Sequence, residues 1–300
     1  MVSVLDTRWR GHPGIIAVFA VPHREGVALV ESGPESAFAE VEKGLRELGY
    51  EPRDVTDVLL THIHLDHAGA AWRFAEAGAR VHVHPRGARH LADPSRLLAS
   101  AERIYGDRMR ELWGELRPVP SDRLHAVADG EVVNVGGLAF TALETPGHAV
   151  HHHVWELEGL AFTGDVAGVR IAGGPALPPC PPPDIQVEDW LASVERLQRL
   201  EPEGLYLTHY GLYRDWREHL EDLVGFLTRW SDWVGERLKA GAEPGRIAAE
   251  FRERLSAELA ERGVGSEAAR AYELANPADY TVAGLIRYWQ KHRGEELRAG

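Results

Sequence analysis

Four short apolar runs in this chain are each followed within a few residues by a histidine or an aspartate. The runs are 58–60, 140–143, 160–163 and 205–208, and the polar residues that follow them are His62, His148, Asp165 and His209. Short apolar runs bounded by turn residues are typical of buried β-strands. Four strand ends that each deliver such a side chain predict one site at one edge of a sheet in a layered α/β fold. Gly147 and Gly164 would permit the sharp exits from two of these strands.

The densest part of this pattern is His62-Ile63-His64-Leu65-Asp66-His67. Residues two apart on an extended strand point the same way, so His62 and His64 are predicted to face one ion. Beyond a turn, Asp66 and His67 are predicted to face a second ion. Neutral imidazole and carboxylate suit zinc, iron and manganese. The sequence therefore predicts a metal centre.

This ordered set resembles the motif of the metallo-β-lactamase-fold hydrolases, including their glyoxalase II-like members, over roughly the first two thirds of the chain. The resemblance implies an α/β fold, an αββα four-layer sandwich of two mixed sheets between outer helices. It also implies a first metal held by His62, His64 and His148, a second held by Asp66, His67 and His209, and a bridging Asp165.

Two adjacent divalent ions would activate water and polarise the bond under attack. The interpretation is a dinuclear hydrolase, with zinc as the first choice of metal and iron or manganese as alternatives, acting on a small ester, thioester or lactone. Asp66 is also predicted to steer or receive the proton. Gly168 stands where the lactonase branch usually carries tyrosine, which disfavours that branch. Two alternatives stay open: a mononuclear iron enzyme similar to persulfide dioxygenases, and a metal-binding protein without a catalytic role.

The other histidines are predicted to be structural, because a lone histidine is more often structural than a metal ligand. His82 and His84 alternate along a predicted strand, and His151, His152 and His153 could hydrogen-bond a ligand or line the mouth of the site. Arg170 is predicted to contact a substrate anion. The roles of His84, His152 and Arg170 are left open.

Composition bears on partners and location. A net charge of −13 disfavours binding to nucleic acid, since phosphates need a basic surface. The N-terminus lacks a secretory pattern and no apolar run could span a bilayer. Cys180 is the only cysteine, which excludes an internal disulfide and predicts an inert loop thiol. We therefore expect a cytoplasmic protein with a small-molecule substrate and with no nucleic-acid or membrane partner.

Beyond His209 the apolar spacing becomes helical. We predict a catalytic domain over residues 1–211 and a C-terminal helical extension over 212–300, packed on that domain without a core of its own. Tyr210, Tyr213, Trp230 and Trp233 are assigned to core packing or to an apolar pocket lining, and a homodimer interface is the alternative use of these helices. The proline-rich segment 173–183 is predicted to be a pocket wall or a surface strap.

Overall fold

The computed structural model describes residues 1–299. These residues form two compact units, which are described separately. Unit 1 comprises Met1–Glu144 and His151–Gly164, and unit 2 comprises Thr145–Val150 and the chain from Asp165 onward. The predicted end of the catalytic domain at residue 211 stays a prediction.

The first sheet of unit 1 is mixed. Its strands, in spatial order, are β1 (Ser3–Asp6), β2 (Ala17–His23), β3 (Gly26–Val30), β4 (Val55–Leu59), β5 (Arg80–Val83) and β6 (Leu124–Ala126). Strands β1 to β3 pair antiparallel, and β3 to β6 pair parallel. Strand β3 is buried almost along its whole length, as expected for a strand covered on both faces.

The second set of strands in unit 1 is antiparallel and packs on the first sheet. It consists of β7 (Val132–Val135), β8 (Leu138–Glu144), β9 (His153–Leu157) and β10 (Leu160–Phe162). The rings of Phe19 and Phe162 meet at 5.5 Å between centroids. The indole of Trp155 donates a hydrogen bond of 2.9 Å to the carbonyl of Leu60. This bond fixes the chain directly beyond the end of β4.

The helices of unit 1 follow strands β3, β4 and β5 in the chain. They are α1 (Phe38–Glu47), α2 (Leu65–Ala68), α3 (Ala71–Glu76), α4 (Pro85–Ala92), α5 (Ser95–Tyr105) and α6 (Met109–Trp113), with single 3-10 turns at Trp9–Gly11, Glu35–Ala37, Pro52–Asp54 and Gly106–Arg108. Helix α1 buries Val41 and Leu45, and Gly49 follows its end with a φ of +86°. A glycine in this left-handed conformation is a common way for a helix to end.

Unit 2 is mainly helical. Its elements are α7 (Val187–Arg199), β11 (Gly204–Leu207), β12 (Gly211–Tyr213), α8 (Trp216–Lys239), α9 (Pro244–Glu261), α10 (Ser266–Ala275), α11 (Ala278–His292) and α12 (Gly294–Ala299). Strands β11 and β12 form an antiparallel hairpin. Pro244 opens α9 and Pro277 stands at the N-cap of α11, where a missing N–H costs little.

The C-terminal helices contact one another through buried aromatic side chains. The ring of Trp230 lies 5.4 Å from Phe226 on the same helix and 4.9 Å from Phe251 on α9. The indole of Trp289 on α11 donates to the carbonyl of Ser231 on α8 at 2.7 Å. Three helices thus share an apolar interior, and core packing is confirmed for Trp230. No helix among residues 1–299 combines the length and the apolar character needed to span a membrane.

Candidate metal centre

Unit 1 brings the imidazoles of His62 and His64 together. Nε2 of His62 and Nδ1 of His64 lie 2.9 Å apart. The sequence placed both histidines on a strand, and this placement is wrong. Strand β4 ends at Leu59, and both histidines lie in the loop between β4 and α2. His64 nevertheless has an extended backbone, with φ −62° and ψ 152°, so the two side chains still converge.

Helix α2 places the next two predicted ligands. Nε2 of His67 lies 3.5 Å from Oδ2 of Asp66. The side chain of His67 is fully buried, whereas that of Asp66 is 20% exposed. A nitrogen and a carboxylate oxygen at this separation match two ligands of one ion, because bonds of about 2.1 Å in a tetrahedral site set ligand atoms about 3.4 Å apart.

Sequence reasoning missed Glu31, a fully buried carboxylate at the end of β3. Its Oε1 accepts hydrogen bonds from the Thr61 hydroxyl at 2.6 Å and from Nδ1 of His67 at 2.9 Å. The Thr61 oxygen lies 3.0 Å from Nδ1 of His62. Glu31 follows the apolar run 27–30 directly. The same pattern of a strand followed by a polar residue that identified the other candidates could therefore have found it.

These contacts fix which ring nitrogens carry protons. The Thr61 hydroxyl donates to Glu31, so its oxygen accepts from Nδ1–H of His62, and Nδ1–H of His67 donates to Glu31. Nε2 of both rings is then the unprotonated nitrogen, which is the form that binds metal. Glu31, His62 and His67 also offer ligand atoms within 4.8 Å of one another. We interpret Glu31 as a group that orients the two imidazoles, because its oxygens receive N–H and O–H donors.

Unit 2 gathers His148, Asp165 and His209. Oδ2 of Asp165 lies 3.3 Å from Nε2 of His148, and Oδ1 lies 3.5 Å from Nε2 of His209. Each carboxylate oxygen therefore faces a different imidazole. Each of these two pairs has the separation expected for two ligands of one ion at the bond lengths of zinc. All three side chains are buried, so a carboxylate and two imidazoles share an interior position.

The loop that carries His148 is held on α7. Gly147 has a φ of +131°, and a Cβ there would collide with the backbone of Trp190. The Trp190 ring meets the His148 ring edge-on at 5.5 Å, and Nδ1 of His148 donates to the carbonyl of Pro179 at 2.9 Å. A carbonyl only accepts, so Nε2 is again the unprotonated nitrogen. The predicted need for glycine at 147 is confirmed.

Glycine is equally required at 164, where unit 1 ends. Its φ is +49°, and a Cβ would collide with the hydroxyl of Thr61 and lie 2.8 Å from Nε2 of His152. The His152 ring is 5.0 Å from that of His62. His152 therefore packs beside a predicted ligand.

His82 and His84 have other partners, which agrees with their predicted structural role. His82 lies 2.7 Å from Asp57 and 2.9 Å from His125, across three neighbouring strands. Nδ1 of His84 accepts from the backbone N–H of Arg86 at the start of α4, and its Nε2 lies 3.1 Å from Glu144.

Arg170 pairs with Asp215 at 2.8 Å and lies over the Tyr213 ring at 4.4 Å. Its Nε donates to the carbonyl of Gly174. These contacts give Arg170 a structural role in unit 2, and contact with a substrate anion stays a prediction. Cys180 is buried, and burial raises the pKa of its thiol, as expected for an inert side chain.

The buried His219 on α8 is expected to make the stability of the folded protein depend on pH. Burial, opposed by a hydrogen bond of 2.7 Å to the carbonyl of Ala167, lowers the pKa of His219 to about 4. The ring is thus neutral in the folded protein, whereas an unfolded histidine titrates near 6.5. Above pH 6.5 the folded and unfolded states both hold this ring neutral, so it does not lower the free energy of unfolding. As the pH drops to 4, we expect the free energy of unfolding to fall by about 3 kcal/mol because of this group.

The measurement is the free energy of unfolding between pH 7.5 and pH 4.5 for the wild type and His219→Gln. The difference between the two proteins isolates this one group from the many acidic side chains. We expect the wild type to lose more stability than the variant over this interval. Parallel curves would mean that His219 is not held neutral by the fold.

Comparison with known proteins decides the family. Residues 12–209, about two thirds of the chain, match the family model described as the metallo-beta-lactamase superfamily. The chain belongs to the metallo-β-lactamase superfamily. Its fold is that family's α/β sandwich with a C-terminal helical region, as predicted. The His and Asp side chains described above are a donor set suited to divalent metals.

Three relatives illustrate the range of this superfamily. A metallo-β-lactamase fold-containing protein of Sulfurisphaera tokodaii is 27% identical over 218 residues, covering 71% of this chain and 80% of that protein. A hydroxyacylglutathione hydrolase of Methylobacterium nodulans is 34% identical over 126 residues, which cover 41% of this chain and only 37% of the hydrolase. The solved structure of a metallo-β-lactamase family protein of Thermus thermophilus superimposes with a TM-score of 0.68 at 23% identity. It covers 98% of this chain and 94% of its own.

Proposed function

We propose that this protein is a dinuclear metal-dependent hydrolase of a small ester, thioester or lactone. The observation that carries the proposal is the Asp165 carboxylate, whose two oxygens face two different imidazoles at 3.3 and 3.5 Å. A carboxylate that serves one ion needs only one oxygen, whereas one that bridges two ions presents both. Membership of the metallo-β-lactamase superfamily supports the same arrangement.

The proposed ligand set is the one that the family resemblance implies. His62, His64 and His148 would hold the first ion, and Asp66, His67 and His209 would hold the second, with Asp165 bridging them. The donors fit such ions, since Nδ1–H donates a hydrogen bond in three of these histidines and leaves Nε2 as the metal-binding nitrogen. Zinc is the first choice for imidazole and carboxylate ligands, with iron or manganese as alternatives.

Two bound divalent ions supply a nucleophile at neutral pH and stabilise the charge that develops on the substrate. The protein's own groups then have separate tasks. Asp66 would steer or receive the proton, and its side chain retains 20% exposure, whereas that of Glu31 has none. Glu31 and the Pro179 carbonyl would hold the imidazole rings in place. This division of roles keeps proton transfer on the one carboxylate that substrate and water can reach.

Thioesters are the substrate class that we would test first. The similarity to a hydroxyacylglutathione hydrolase is 34% over 126 residues, and the name of that relative describes a thioesterase activity. The short aligned length makes this a proposal about reaction class only. The small-molecule substrate, the cytoplasmic location, the homodimer and the lack of nucleic-acid or membrane partners stay predictions.

The test is a hydrolysis panel of acyl thioesters, aryl esters and lactones, using protein reconstituted with zinc or manganese. We expect turnover of at least one class that a chelator abolishes and that added metal restores. A metal-loaded, folded protein that is inert across the whole panel would contradict the hydrolase proposal. Oxygen consumption with a persulfide would contradict it in favour of the iron enzyme.

A further inference from the structure

Residues 177–180 of unit 2 are rich in proline and contact His148, and we call this segment the strap. Leu177 pairs with Val169 through two backbone hydrogen bonds of 2.8 and 2.9 Å. All four residues are buried, and the choice between pocket wall and surface strap for 173–183 stays open. The strap's contact with a predicted metal ligand is the Pro179 carbonyl, which accepts from Nδ1 of His148 at 2.9 Å.

The strap is held from the other side by the junction of α10 and α11. Nδ2 of Asn276 donates to the carbonyl of Pro178 at 3.2 Å. Oδ1 of the same amide accepts from the hydroxyl of Thr281 at 2.7 Å. Both side chains are buried, and the Pro178 carbonyl also accepts a weak hydrogen bond from the Cys180 thiol. The Thr281 hydroxyl therefore fixes the amide orientation, and the amide fixes the strap.

Helix α11 also approaches the strap closely through its backbone. A Cβ at Gly284 would collide with the carbonyl oxygen of Cys180. Proline has a fixed φ, which restricts how far the carbonyls of Pro178 and Pro179 can turn relative to each other. Displacement of Pro178 would thus be passed on to the group that orients His148.

We propose that Asn276 is a positioning residue for the metal centre, acting through the strap on the ring of His148. This inference rests on the proposed function, since it assumes that His148 binds metal. Groups that orient a metal-ligating histidine directly contribute about 10- to 100-fold to metal affinity. Asn276 acts one residue further away, so we expect an effect near the lower end, about tenfold.

The decisive variant is Asn276→Asp, which keeps the shape of the side chain but replaces the N–H donor with an oxygen facing the Pro178 carbonyl. We expect about tenfold weaker binding of one ion in a chelator competition, and an altered absorption spectrum of the cobalt-substituted protein. Thr281→Val should shift both readouts in the same direction by less, and Thr281→Ser should restore the wild-type values because it keeps the hydroxyl.

Tyr288→Phe is the matched control on the same helix. Its hydroxyl donates to Glu188 at 2.6 Å, and Tyr288 is buried, as Asn276 is. We expect this variant to keep wild-type metal affinity even if its unfolding midpoint falls, since it leaves the strap untouched. A metal-binding loss equal to that of Asn276→Asp would show a general effect of loosening α11 and would overturn the proposal.

The outcomes separate this inference from the proposed function. If the wild type binds two ions and folded Asn276→Asp binds both as tightly, the positioning role is wrong and the hydrolase proposal stands. If the wild type binds no metal, both fail. If Asn276→Asp does not fold, the comparison of Thr281→Val with Thr281→Ser decides, and equal metal affinities of these two variants would overturn the positioning role.

Discussion

Replacement of Asp165 with alanine is expected to remove most of the bound metal and almost all turnover. Its two oxygens face His148 and His209 at 3.3 and 3.5 Å, so the variant takes one ligand from each proposed ion. Loss of a single charge-stabilising donor in an active site costs roughly 10²–10³-fold in rate. Loss of a shared ligand should cost more than about 10³-fold in kcat/KM.

Asp165→Asn gives the sharper test of bridging. The amide keeps one oxygen that can bind metal and replaces the other with a nitrogen that cannot. We expect about one ion per chain in this variant, measured by elemental analysis of the folded protein. Asp57→Asn is the control, because it also removes a carboxylate paired with a histidine, His82 at 2.7 Å, outside the proposed ligands. Full metal retention by folded Asp165→Ala would contradict the bridging assignment.

The second large effect is expected from Glu31→Gln. The wild-type carboxylate accepts from Nδ1 of His67, from the Thr61 hydroxyl and, at 3.3 Å, from the Thr61 N–H. Glutamine has the same shape but brings an NH₂ donor against one of these donors. We expect metal affinity to fall by about 10- to 100-fold, as for other groups that orient a ligating histidine. Burial of an unmatched donor should also cost about 1–3 kcal/mol of stability.

Glu35→Gln is the matched control for Glu31. This carboxylate lies a few residues away and pairs with Arg73 rather than with a predicted ligand. We expect it to leave metal affinity unchanged. The readouts are chelator competition and the free energy of unfolding of the metal-free proteins. Equal metal affinity in Glu31→Gln and the wild type would show that Glu31 does not orient the imidazoles.

The strands and most helices were predictable because their local patterns are strong. The apolar runs 58–60, 140–143, 160–163 and 205–208 identified β4, β8, β10 and β11. The predicted ligands follow strand ends because a chain that leaves a buried strand must turn there. The match to the family model confirms the predicted fold.

Features that depend on contacts distant in sequence were not predictable. The strand-end pattern marks Glu31 as a candidate, but its role in orienting His67 follows from a contact across 36 positions of the chain. The orientation of His148 depends on Pro179 and, through the strap, on Asn276, which nothing in the local pattern marks. The placement of His62 and His64 on the strand failed because hydrophobic periodicity does not locate the end of a strand to the residue.

The most direct test of the central claim is the metal content of the protein purified without added metal and then titrated with zinc. The account predicts about two tightly bound ions per chain. Saturation at about one ion per chain, or one iron per chain in the purified protein, would contradict a dinuclear centre bridged by Asp165.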